Sequence, residues 1–76
     1  MNDIDIFVES RKNQAEFERV VAEMKPSKSE YILIAGGKLL AIGEKLYVEE
    51  ICYNTFNLGV YMLKRVDDIK PTYKQY

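Results

Sequence analysis

The sequence contains no histidine, and Cys52 is its only cysteine. A single cysteine excludes an intrachain disulfide, which is the usual staple of small secreted domains. Without histidine or a cysteine pair, the common kinds of structural zinc site are also excluded. Serine and cysteine nucleophiles usually need a histidine base, so the same absence weighs against catalysis. We therefore expect a protein with no enzyme activity, no cofactor and no metal ion.

Two patterns that carry chemistry in other proteins are incomplete here. A phosphate-binding loop needs a glycine five residues before the glycine of its Gly-Lys pair, and serine or threonine after the lysine. Ile32 and Leu39 occupy those positions around Gly37-Lys38. Cys52 lies in an apolar stretch, a setting more typical of a small buried hydrophobe than of a reactive thiol.

A strong charge of one sign and a long apolar run are lacking as well. With 11 basic and 12 acidic residues the net charge is −1, so no overall field favours nucleic acid or an anionic membrane. The two longest uncharged runs, 31–37 and 51–63, are shorter than the roughly 20 apolar residues of a membrane span. The acidic start is unlike a secretory signal. We expect a cytoplasmic protein that does not enter a membrane.

What the chain does have is an ordinary globular composition, with 47% hydrophobic and 30% charged residues among 76. This length predicts a single domain spanning residues 1–76. Such a domain buries only about 60% of its unfolded surface, and one core of this size supplies no more than about 3–5 kcal/mol. Good packing, oligomerisation or a bound partner must supply the rest. The abundance of lysine, isoleucine, asparagine and tyrosine suggests an AT-rich genome, such as that of a bacterium or a phage.

The clearest helical signal runs from about residue 12 to residue 25. Apolar side chains recur at i, i+3, i+4 and i+7, as on one face of a helix: Phe17, Val20, Val21 and Met24. Asn13 is predicted to be the N-cap, with Glu16 completing a capping box. Pro26 is predicted to end the helix at Lys25. Residues 3–8 fit either a half-buried strand or an earlier helical segment with Ile4, Phe7 and Val8 on one side.

Residues 31–42 predict a β-hairpin, because Gly36-Gly37 supplies the positive φ angles of a two-residue turn. In that register the opposed pairs are Ala35 and Lys38, Ile34 and Leu39, Leu33 and Leu40, and Ile32 and Ala41. One face then carries Tyr31, Leu33, Leu40 and Ile42, and the other carries Ile32, Ile34, Leu39 and Ala41. Both faces are apolar, so both need a cover, and one helix covers only one. Three candidates could cover the second face: the C-terminal strands, a target protein or a second copy of the chain. Of these we favour a homodimer, since two-fold pairing is common.

The rest of the chain predicts further strands. Leu46, Val48 and Cys52 alternate as in a strand, although Glu49-Glu50 interrupts the pattern, and 58–66 is rich in β-formers. From Gly43 to Asp67 the order of glycine, charge, lysine, strand, turn and strand is similar to that of small SH3-like barrels, but this order is too common to identify a family. The tail, 70–76, is expected on the surface.

Together these patterns predict an α+β fold with one amphipathic helix on a three- or four-stranded antiparallel sheet, or a sheet curled into a partial SH3-like barrel. The function that fits best is a small binding protein that inhibits, links or regulates another protein, as phage-encoded proteins do. The alternative is a nucleic-acid-binding module, in which tyrosines on the sheet stack bases beside basic side chains. The candidate binding residues are the same for both functions: Tyr47, Tyr53, Tyr61, Lys64 and Arg65.

Overall fold

The computed structural model describes residues 3–55 and 57–68, and its first element is one long helix. Helix α1 spans Asp3–Met24, so residues 3–8 are helical and the strand alternative for them is wrong. The predicted start near residue 12 is wrong as well, because Asn13 lies in the middle of α1 and caps nothing. The end is close to the prediction: α1 stops one residue before Lys25, which takes a left-handed φ of 48° ahead of Pro26.

The predicted hairpin is present, with strand β1 at Tyr31–Ala35 and strand β2 at Lys38–Gly43. The turn glycines Gly36 and Gly37 have φ angles of 59° and 76°. Two consecutive positive φ angles define the primed turn that the Gly-Gly pair predicted. The two pairs nearest the turn, Ala35 with Lys38 and Ile34 with Leu39, also have the predicted register.

Beyond those two pairs the predicted register is wrong, because β2 contains a β-bulge. Leu33 pairs with Ala41 and Ile32 pairs with Ile42, so Leu40 is the extra residue. Ala41 therefore joins Leu33 on one face of the sheet, and Ile42 moves to the face of Ile32. Leu40 itself is exposed on the outer edge of the sheet.

Helix α2 spans Lys45–Asn54, where the alternation of apolar residues had suggested a strand. Val48, Ile51 and Cys52 follow i, i+3, i+4 spacing, which places them on one face of α2. They pack on Leu33 and Ala41, with Val48 fully buried. Helix α2 is thus the second cover that the two-faced hairpin required. The structural reason for expecting a homodimer is removed, and the oligomeric state stays a prediction.

Strand β3, Tyr61–Arg65, completes an antiparallel sheet of order β2-β1-β3. The strand expected over 58–66 is confirmed in a shorter form. Helix α1 contacts all three strands on one face, whereas α2 contacts β1 and β2 on the other. The sheet is open in the described residues, so the fold is α+β and the partial barrel is wrong.

The sheet separates two apolar clusters. The α1 side contains Phe17, Val20, Ile32, Ile34 and Val66. The α2 side contains Leu33, Ala41, Val48 and Cys52. Cys52 is buried as predicted. Neither helix combines the length and apolarity needed to cross a membrane within the described residues. The predicted surface position of 70–76 lies outside those residues.

Candidate binding surfaces

The five residues predicted to form a binding surface are not brought together. Tyr47 and Tyr53 are exposed on α2, and the prediction that they lie on strands is wrong. Tyr61, Lys64 and Arg65 do lie on a strand, at its two ends. Because α2 covers β1 and β2 on the face that Tyr61 shares, the tyrosines do not form an aromatic platform on an open sheet.

Alternation along β3 separates its two basic residues. Leu63 packs in the α2-side cluster, so Tyr61 and Arg65 point to that same face. Arg65 is exposed and forms an ion pair with Asp67 at 3.0 Å. Lys64 points to the opposite face, beneath α1, and only 6% of its surface is exposed.

Lys64 packs against an aromatic ring. Its Nζ lies 4.5 Å from the centre of the Phe17 ring, which is close enough for a cation–π interaction. No hydrogen bond or ion pair joins the side-chain ammonium of Lys64 to any residue among 3–55 and 57–68. No buried side-chain nitrogen or oxygen in the described residues lacks a hydrogen-bond partner, so the stem of Lys64 is buried while its ammonium still reaches the surface. Covering that ammonium without a partner would be costly, since buried charges are normally paired.

A groove runs between α1 and β3 beside this lysine. It has a volume of about 470 Å³ and is lined by Ser10 and Asn13 on α1 and by residues 61–64 on β3. The sequence did not predict this groove. Ser10, which lines it, lies before the predicted helix start at residue 12, and Asn13 was expected at the N-terminal end of the helix and not in its middle.

Asn13 forms the floor of that groove and joins three elements. Its Oδ1 accepts a hydrogen bond from the backbone N–H of Gly37 at 2.8 Å, and its Nδ2 donates to the carbonyl of Val60 at 3.1 Å. Asn13 is 1% exposed. Its amide thus satisfies one donor at the hairpin turn and one acceptor at the entry to β3, which is a structural role.

The first turns of α1 form a second unusual surface. A 22-residue helix is about 33 Å long, whereas a five-residue strand spans about 17 Å. Glu9 and Lys12 lie against the turn glycines at the end of the sheet. Residues 4–8 therefore extend past the sheet, and we name them the α1 overhang.

The α1 overhang is mostly apolar and exposed. Ile4 is 72% and Phe7 is 61% exposed, and Ile6 and Val8 are also exposed. At 100° per residue, Ile4, Phe7 and Val8 point away from the sheet face of α1. The guanidinium of Arg11 lies over the Phe7 ring at 5.6 Å. The i, i+3, i+4 spacing of Ile4, Phe7 and Val8 was visible in the sequence. Which way these side chains point follows only from the structure, where α1 continues without a break through Asn13.

The described residues contain no group of three or more histidine, cysteine, aspartate or glutamate side chains that could hold a metal ion. Comparison of the chain with protein families, with curated proteins and with solved structures finds no match. The basis for a function is therefore the two surfaces described above, the groove beside Lys64 and the α1 overhang.

Proposed function

We propose that this domain is a small non-catalytic protein-binding protein that inhibits, links or regulates another protein. The observation that carries the proposal is the α1 overhang. Its four apolar side chains are exposed at the start of a helix whose Phe17, Val20 and Val21 are packed on the sheet. Ile4, Phe7 and Val8 share the side that points away from the sheet, and exposed apolar side chains grouped in this way are typical of interaction sites.

The α1 overhang contributes less than the core does to the folding stability of the isolated domain. Burying a large aliphatic or aromatic side chain stabilises by about 1.5–3 kcal/mol, and the overhang gains only part of this alone, because Ile4 and Phe7 keep most of their surface in water. Both faces of the sheet are covered without it. The apolar residues of the overhang therefore add less to folding than core residues do, and a partner that covered them would gain the transfer free energy of the surface that is still exposed.

Affinity capture with three baits tests the proposal: the wild-type chain, the Ile4→Ser/Phe7→Ser variant and the Leu46→Ser variant. Leu46 is a matched control because it is 77% exposed on α2, at a distance from the overhang. We expect a protein from the lysate of the native host to be retained by the wild type and Leu46→Ser and lost by the double variant. Equal retention by all three baits, or none above empty resin, would overturn the proposal.

All three baits are expected to fold, because each substituted side chain is exposed and exposed substitutions usually change stability by less than about 0.5 kcal/mol. Circular dichroism melts check this. The nucleic-acid alternative is tested on the same samples by mobility shift at two salt concentrations, since phosphate contacts weaken steeply with salt.

A further inference from the structure

The two edges of the sheet are not equivalent. Strand β2 carries the bulge at Leu40, and bulged edges resist pairing with another strand. Strand β3 pairs with β1 in one unbroken register, from Tyr61 opposite Ala35 to Arg65 opposite Tyr31. Among the described strands none pairs with the outer side of β3, which is the regular edge of this sheet.

The ladder shows which backbone groups face outward along β3. The N–H of Val66 donates to the carbonyl of Glu30 at 2.8 Å, which fixes the hydrogen-bonded side at that position. In an antiparallel pair this side alternates, so Lys64 and Met62 also bond to β1. The N–H and C=O groups of Tyr61 and Leu63 and the N–H of Arg65 consequently point away from the sheet, whereas the carbonyl of Arg65 accepts a hydrogen bond from the N–H of Asp68 at 3.0 Å.

The side chain of Lys64, beside this edge, determines which charge a bound segment must carry. Lys64 borders the groove with 6% of its surface exposed, and its ammonium has no ion-pair or hydrogen-bond partner among the described residues. An apolar or basic strand at this edge would leave the ammonium unpaired, which is how an inward-pointing charge protects an edge. A carboxylate would instead pair with it in a charge-assisted hydrogen bond.

A second copy of β3 does not meet this requirement. The segment 61–65 contains Lys64 and Arg65 and no acidic residue. Arg65 is already paired with Asp67, but pairing two copies edge to edge would bring two Lys64 ammonium groups to one short ladder with no carboxylate for either, and like charges across strands destabilise pairing. The occupant must come from a different, acidic segment.

We propose that the β3 edge and its groove bind an extended acidic segment of a partner protein, which adds as a fourth strand and places a carboxylate against Lys64. The proposal rests on the proposed protein-binding function and assigns it a second surface, separate from the α1 overhang. Main-chain hydrogen bonds would supply affinity and the buried lysine would supply specificity.

The probe is the peptide acetyl-Thr-Val-Glu-Val-Thr-amide, with a glutamine version and a version methylated on its three central backbone nitrogens. Binding is followed by the amide chemical shifts of the ¹⁵N-labelled protein. We expect the glutamate peptide to shift the amides of Tyr61–Arg65 and to bind about five- to tenfold more tightly than the glutamine peptide. The methylated peptide cannot pair along the edge and is expected to leave these amides unshifted.

Two variants locate the specificity. Lys64→Met is expected to fold, because methionine packs well on an aromatic ring, and to remove the preference for glutamate. Arg65→Gln removes the neighbouring charge, which points to the opposite face, and should keep the preference. Equal binding of the glutamate and glutamine peptides, or a preference that survives in Lys64→Met, would overturn the inference.

Three further results would also overturn it: no shift along β3 at millimolar peptide, equal binding of the methylated peptide, or broadening of the β3 amides with protein concentration alone. The last would show that a second copy occupies the edge. The Ile4→Ser/Phe7→Ser variant should bind the glutamate peptide normally. A captured partner that depends on the overhang would therefore survive failure of the peptide experiment, and the two proposals can fail separately.

Discussion

The side-chain oxygen of Asn13 accepts a hydrogen bond from the backbone N–H of Gly37, at 2.8 Å and across 24 positions of sequence. The same side chain donates to Val60. Asn13 thereby fixes both the hairpin turn and the start of β3 to the middle of α1. A helix-interior asparagine is unfavourable by intrinsic propensity, so its place here is explained by these two bonds.

We expect Asn13→Ala to destabilise the domain by about 2–4 kcal/mol, because it leaves a part-buried donor and a part-buried acceptor unpaired and removes a side chain that is itself buried. An N-cap role would predict about 1 kcal/mol. Urea unfolding gives the loss, and amide exchange at Gly37 should accelerate. Gln14→Ala is the control, since Gln14 bonds only to exposed Glu18 on the same helix. A loss below about 0.5 kcal/mol with unchanged exchange at Gly37 would show that the two bonds do not matter.

A second prediction concerns α2 as the cover of the sheet. Val48→Ala removes a fully buried side chain over Leu33 and Ala41 and should cost about 2 kcal/mol. Leu46→Ala, on the exposed side of α2, should change stability by less than about 0.5 kcal/mol. Sedimentation equilibrium at micromolar concentration should give the monomer mass of 8.9 kDa. Equal effects of the two substitutions would contradict the position of α2, and a dimer mass would show that covering the face does not prevent association.

The sequence predicted those elements whose local signals agree. The packed residues Phe17, Val20 and Val21, the Gly36-Gly37 turn and the alternation in β3 each follow from spacing or from backbone chemistry. The prediction that Met24 joins the same packed face is wrong, because Met24 is 54% exposed in the last turn of α1. The apolar residues of 31–42 also predicted that both faces of the hairpin must be covered, and α1 and α2 cover them. Where two signals competed, the prediction was wrong: 45–53 shows both a strand-like alternation and a helical triplet, and tertiary packing decides between them.

The remaining differences come from contacts that no local pattern contains. Asn13 has the residue type and spacing of an N-cap, and only the distant Gly37 and Val60 give it a different role. The bulge at Leu40 adds one residue to β2, and this places Ala41 beneath α2 and Ile42 beneath α1. The candidate site was predicted least well, because tyrosines close in sequence lie on different layers, while Lys64 owes its burial to α1.

A third prediction separates backbone strain from crowding at the turn. Gly37 and Gly59 have similar φ angles of 76° and 68°. A Cβ on Gly37 would lie 3.2 Å from Lys12 Cβ, whereas a Cβ on Gly59 would meet nothing within 4 Å. Gly59→Ala should therefore cost only the left-handed strain, about 1–2 kcal/mol, and Gly37→Ala should cost measurably more. Thermal or urea unfolding compares them. Equal losses would show that Lys12 yields without cost.

A fourth prediction concerns pH. Arg19 donates hydrogen bonds to both carboxylate oxygens of Glu16, at 2.8 and 2.6 Å, and this lowers the pKa of Glu16 below its ordinary 4.5. A lowered pKa in the folded state means that ionised Glu16 stabilises folding at neutral pH. This contribution is complete above the ordinary pKa and is lost as the pH falls through the lowered one.

The stability difference between the wild type and Glu16→Gln should therefore favour the wild type at neutral pH and shrink below pH 4.5. Urea unfolding at neutral and at acidic pH measures it. In an Arg19→Gln background the same substitution should have a smaller pH-dependent effect, since the largest cause of the lowered pKa is gone and the backbone hydrogen bond from Leu39 remains. A difference that does not change with pH would show that Arg19 does not set the pKa of Glu16.

The last prediction tests the contact between Phe17 and Lys64. Phe17 is buried in the α1-side cluster, so Phe17→Ala should cost about 3–5 kcal/mol and unfold most of the chain. Phe17→Leu keeps most of the apolar volume but removes the ring beneath the ammonium. Combined with Lys64→Met in a double-mutant cycle, it should reveal a coupling of about 0.5–2 kcal/mol. The leucine substitution should cost less in the Lys64→Met background, because no charge then loses its partner. Urea unfolding of the four proteins gives the coupling. A value near zero would mean that the ring and the ammonium share a space without stabilising each other, and that Phe17 acts through packing alone.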